Sequence, residues 1–73
     1  MKFGVKIFAA EPNETLPRKL IENIYDNMDD AKSYILNMII ALCDLGFSVR
    51  KTETGYLAEN QKLYTYEIVI SKY

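Results

Sequence analysis

The pattern of the chain predicts a small α+β layer pair: one long helix, preceded by a short one, across an antiparallel-rich sheet of three strands. Three observations carry that expectation. Apolar residues alternate near both ends, over 2–9 and 63–72. Between them lies a capped, strongly apolar run from Asn27 to Gly46. The chain has 73 residues, 49% of them hydrophobic and 26% charged, which suits a single globular domain spanning 1–73 and argues against disorder.

Phe3, Val5, Ile7 and Ala9 alternate with Lys2, Gly4, Lys6 and Phe8, so 2–9 reads as a half-buried strand. Glu11-Pro12-Asn13-Glu14 follows as a turn, with proline pre-setting one backbone angle and asparagine tolerating the next position. Residues 16–26 can be read two ways. Leu16, Leu20, Ile21, Ile24 and Met28 fall on one helical face behind Pro17, which favours a short helix over about 17–26. The alternative is a fourth strand over 16–25, giving a ββαββ order. As a strand, the segment would turn Arg18 and Glu22, or Lys19 and Asn23, toward the core.

Asn27 is placed to cap the long helix, and Asp29 and Asp30 sit where the helix dipole favours negative charge. The helix should run over about 28–45 and stop at Gly46, which can take the left-handed conformation of a helix end. Its polar positions, Asp29, Asp30, Ser33, Asn37 and Asp44, cover roughly 100° of arc, whereas the apolar ones spread over roughly 220°. One sheet face needs an apolar stripe of only about 100°. The excess demands a second neighbour. Phe47 and Val49 open a strand over 47–53, Thr54-Gly55 marks a turn, and Tyr56–Ala58 forms a short strand or ordered loop before a polar break at 59–61. The last strand, 63–72, places Tyr64, Tyr66, Ile68 and Ile70 on one face.

Composition narrows the chemistry. There is no histidine, the commonest neutral-pH base and metal ligand, and Cys43 is the only cysteine. Zinc and iron–sulfur sites therefore lack their ligands, and an intramolecular disulfide is impossible. Cys43 is expected to be a buried structural thiol in a reducing compartment. Glycine-rich phosphate loops are absent, because Gly4, Gly46 and Gly55 lie far apart. No cofactor or metal is expected, nor an enzymatic role. With no apolar run approaching the roughly 20 residues of a membrane span and no secretory pattern at the start, a cytoplasmic location is expected.

Three groups remain as candidates for contact. Asp26, Asp29 and Asp30 form an acidic cluster, and Tyr56 and Tyr64 flank the last hairpin, so these five are candidate partner-binding residues. Lys2, Lys6, Phe8 and Arg50, with Tyr73 nearby, belong to the sheet face away from the helix and could track a single-stranded nucleic acid. Tyr34, Leu36, Ile40, Ala41 and Leu45 flank the core stripe of the helix on both sides, which makes them candidate oligomer contacts.

The favoured expectation is a small protein-binding accessory or inhibitor acting as a homodimer. Abundant Ile, Lys, Asn and Tyr, residues with AT-rich codons, suggest that a phage or other mobile element encodes it. Its partner would then be a host complex, for instance a nuclease of a bacterial defence system blocked in the manner of an anti-CRISPR protein. The rival is a nucleic-acid-binding or regulatory module on the open sheet face, although the net charge of −1 advertises no polyanion partner.

Overall fold

The computed structural model describes residues 2–72. Five strands and one helix follow in the order β1 (Phe3–Ala10), β2 (Arg18–Tyr25), α1 (Met28–Asp44), β3 (Ser48–Lys51), β4 (Gly55–Glu59) and β5 (Thr65–Lys72). The strands form one sheet, ordered β2-β1-β5-β4-β3, with every neighbouring pair antiparallel. The α+β class with one long helix on an antiparallel sheet therefore holds. The sheet has five strands rather than three or four.

Two differences account for that number. The short helix expected over 17–26 is instead β2, hairpinned onto β1 through the 11–14 turn. In that turn the Glu14 N–H donates to the Glu11 carbonyl at 3.0 Å, and the Glu11 N–H to Glu14 Oε1 at 2.7 Å. β1 is an inner strand with Val5 and Ile7 fully buried, so its main chain needs a neighbour on each side: β5 supplies one and β2 the other. The polar side chains that seemed to forbid a strand are never forced into the core, because β2 lies at the margin of the helix. The second difference is β4. Five residues are few to announce a strand, but β4 bridges β3 and β5, and its Ala58 is small enough to sit buried among Ile35, Leu42 and Ile68.

The helix starts and ends as the sequence requires. Asn27 accepts from the Asp30 N–H at 2.9 Å. At the other end the Phe47 N–H reaches the Leu42 carbonyl and the Gly46 N–H that of Cys43, both at 3.0 Å, with Gly46 at φ +94. This paired closure satisfies carbonyls that would otherwise be stranded, and its positive angle suits glycine. The helix leaves β2 at one corner of the sheet and hands over to β3 at the diagonally opposite corner, because Tyr25 pairs with Phe3 whereas Ser48 lies in the row of Glu59, Thr65 and Ala10.

That diagonal decides what is covered. Val5, Ile7, Ala31, Ile35, Leu42, Ala58 and Ile68 form the core between helix and sheet. Tyr25, Tyr34, Phe47, Val49, Tyr56, Tyr66 and Ile70 close its rim, with the Tyr25 and Tyr34 rings 5.9 Å apart and the Phe47 and Tyr66 rings 5.3 Å apart, the latter edge to face. At the two other corners the helix and sheet diverge.

Candidate functional site

The first open corner lies between the amino-terminal half of α1 and the turn joining β3 to β4. A groove of about 550 Å³ runs there, lined by Met28, Ile35, Leu36, Ile39, Tyr56 and Ile70, with Lys32, Lys51 and Glu53 at its lip. The hairpin wall is firmly built. The Thr52 N–H donates to the Gly55 carbonyl at 2.8 Å, the Gly55 N–H to Thr52 Oγ1 at 3.1 Å, and the Ile70 N–H to the Thr54 carbonyl at 2.8 Å. On the helix wall, Leu36 and Ile40 stand one turn apart and are 57% and 51% exposed. They continue the apolar wall of the groove out onto the surface. Chemically this is a place for apolar side chains, bordered by charges of both signs.

The five helical residues expected to mediate self-association divide between two flanks. Leu36 and Ile40 form the exposed ridge just described. Tyr34, half-buried, packs against Tyr25 on the opposite flank, where Ala41 and Leu45 remain exposed. Cys43 also belongs to the outside. The thiol expected to be buried is exposed, because position 43 lies roughly 80–120° around the helix from Ala31, Ile35 and Leu42.

Asp26, Asp29 and Asp30 serve the start of the helix. Asp30 receives the Asn27 side-chain amide on Oδ2 at 3.1 Å while its own N–H is capped, Asp29 sits in the first turn, and Asp26 lies 3.9 Å from Lys2. No group of three or more metal-ligating side chains occurs among the described residues. Tyr56 and Tyr64 do not share a surface. Tyr56 points into the groove and packs against the core, whereas Tyr64 precedes β5 rather than joining it, and its N–H is held by Asn60 Oδ1 at 3.0 Å. It lies outside β5 but still lines one cavity with Tyr66 and Ala9.

The register places Lys6, Phe8 and Arg50 on the sheet face away from the helix, as expected, with Lys2 just before β1; Tyr73 lies outside the described residues. One row across that face reads Arg50, Leu57, Glu67, Phe8, Lys19. Arg50 is thus three strand spacings, roughly 14 Å, from Phe8. The next row reads Gly55, Val69, Lys6, Glu22, with Lys6 3.9 Å and Lys19 2.9 Å from Glu22 carboxylate oxygens. Each cation has an anion beside it or between it and the next. A polyanion would meet no continuous cationic track.

What sequence reasoning passed over is the edge strand. Leu20 and Ile24 are 51% and 57% exposed, Ile21 is only partly covered, and Leu16 stands free in the preceding loop. The signal was present in the apolar residues of 16–26, but a helix assignment turned them inward. The second open corner lies at the start of this strand, lined by Ala9, Arg18, Phe47, Tyr64 and Tyr66.

No helix among the described residues is long and apolar enough to cross a membrane. No protein family, curated protein or solved structure matches the chain.

Proposed function

We propose that the protein is a binding accessory or inhibitor that works without catalysis, as a homodimer, by seating the Leu36–Ile40 ridge and the adjoining groove against another protein. The observation that carries this reading is the exposure of two large aliphatic side chains, one turn apart, on the rim of a groove whose walls are themselves apolar. Scattered single apolar residues on a surface are ordinary; a ridge continuous with a concavity is the arrangement that interaction sites use. The matching partner element is an amphipathic helix or apolar loop laid into the groove, with an acidic flank reaching Lys32 or Lys51. A host complex of the defence type is the partner that the composition suggests.

A photo-crosslinking residue at Leu36, in cells native to the chain, tests it. The expected product is one stoichiometric adduct, absent from a probe at Lys62 and lost when Ile40→Asp is added. The reading fails if Leu36 yields no adduct above the Lys62 level. Leu36→Asp/Ile40→Asp should leave stability within about 0.5 kcal/mol of the parent, since both side chains are already half in water.

A further inference from the structure

We propose that the outer edge of β2 is a self-association seam, on which a second copy of this chain lays its own β2 antiparallel to the first. The inference deepens the homodimer part of the proposed function and is independent of the ridge.

Every sheet that is not closed has two edges, each with main-chain donors and acceptors turned to solvent. Here β3 is only four residues, Ser48–Lys51, and carries Arg50 and Lys51. β2 is twice that length, and its side chains include Leu20, Ile21 and Ile24, all substantially exposed. A register shift at Ile7/Phe8 leaves Leu20 as an extra residue, so the regular stretch open to pairing is Ile21–Tyr25.

Charge order selects the occupant. The segment begins with Arg18 and Lys19 and is followed by Asp26, so a copy laid antiparallel sets basic start against acidic end twice over. A parallel copy would set like against like. The Asp26 carboxylate is 87% exposed despite its 3.9 Å approach to Lys2, so it can take a further cation. A two-fold axis normal to the sheet puts both helices on the same face and doubles the five-stranded sheet. With the axis near Glu22, the regular residues Ile21–Asn23 of the two copies oppose one another and Asp26 comes level with Arg18 across the bulge at Leu20. Lys6 and Lys19 already attend each Glu22 carboxylate, which offsets repulsion between the two at the axis. A seam one strand long falls short of the roughly 800 Å² per partner of a standard interface, so association is expected at micromolar rather than nanomolar concentration.

Sedimentation from micromolar to millimolar concentration should show a monomer–dimer equilibrium. Arg18→Glu/Lys19→Glu and, separately, Asp26→Lys should each weaken it by about tenfold or more, since each reverses the charge match at both ends. An equimolar mixture of the two variants should dimerise again, because every end is then matched. Single cysteines at Ile21, Glu22, Asn23 and Ile24, in a Cys43→Ser chain of native charge, give a second reading that does not depend on the charge variants. Directly opposed residues of antiparallel strands lie about 4.5–5.5 Å apart, within disulfide reach, so one position should cross-link fastest with decline on either side. A monomer at all concentrations, a mixture that stays monomeric, or cross-linking at Leu36→Cys as fast as at the best β2 position would each overturn the seam. A monomer that still gives the Leu36 adduct refutes the seam and the homodimer and leaves the ridge standing. A dimer without that adduct refutes the ridge alone.

Discussion

The two edges of the sheet are anchored in opposite ways. β2 has eight residues and pairs along its length with β1, yet Tyr25 is its one contribution to the core rim. β3 has four residues, yet it is flanked by Phe47, contains Val49 and leads into a turn tied by Thr52, Gly55 and Thr54 to β5. Each edge strand sends one side chain to the core rim, Tyr25 from β2 and Val49 from β3, but β3 does so at half the length and leads into a turn bonded to β5. A long edge outside the helix footprint is held by main-chain bonds and surface ion pairs. It is therefore the edge best able to exchange neighbours.

The contrast breaks most severely at Gly55. This residue is buried, and a Cβ there would overlap the Ile68 carbonyl oxygen, which is backbone and cannot step aside. Gly55→Ala is expected to cost about 3 kcal/mol, because two strands must part to admit one methyl group. Chemical denaturation reads the loss, and a variant within 0.5 kcal/mol of the parent would show that the rooted edge is not rooted there. A gentler pair sharpens the same point. Val49→Ala removes two carbons and Leu20→Ala three, yet Val49→Ala should cost more, about 1–1.5 kcal/mol against about 0.5, because Leu20 is already half exposed. Equal costs would deny that the helix footprint decides.

The same footprint explains what the sequence could and could not disclose. The helix was legible residue by residue: Asn27 and Gly46 mark its ends through local backbone chemistry, which needs no knowledge of the rest of the fold. β1 and the Tyr66–Ile68–Ile70 face of β5 were legible because strands under a helix alternate cleanly. β2 was not, because a strand outside the cover has no buried face to impose a period of two. Leu20, Ile21 and Ile24 of β2, with Leu16 before it and Met28 after it, then mimic an amphipathic helix by their spacing. The surplus apolar arc of α1 calls for a second neighbour, and Leu36 and Ile40 are exposed in this fold; the groove beside them depends on the diagonal of the helix, which only strand order can reveal. Tyr56 and Tyr64 flank the last hairpin in the sequence, but the turn that Asn60 organises sets them on different surfaces.

Hydrogen exchange gives a finer measure of the two edges. Inner strands β1 and β5 should exchange slowest, and β2 amides facing away from β1 fastest among the strands, through local opening that leaves the core intact. β3, though shorter, should outlast the first half of β2. If the seam forms, protection over Ile21–Tyr25 must rise with protein concentration while β3 stays unchanged.

The smallest effect belongs to Tyr25, where β2 packs against the helix. Tyr25 has its hydroxyl pushed above the ordinary tyrosine range, first by burial against α1, then by Tyr34 and more weakly Asp30, with a hydrogen bond from the Asn23 side chain opposing the rise. A raised value means that the folded chain keeps its proton where the unfolded chain has begun to lose it. The folded state then binds more protons above about pH 10, so the contribution of this group is constant below that range and stability falls as pH climbs through it. Ultraviolet titration of the parent against Tyr25→Phe should show the missing phenol titrating above the ordinary tyrosine range. Tyr34→Phe should bring it part of the way back, since the neighbouring ring ranks behind burial as a cause. If Tyr25 titrates within the ordinary range, the helix does not grip β2 even at this corner, and the whole strand belongs to the exchangeable edge.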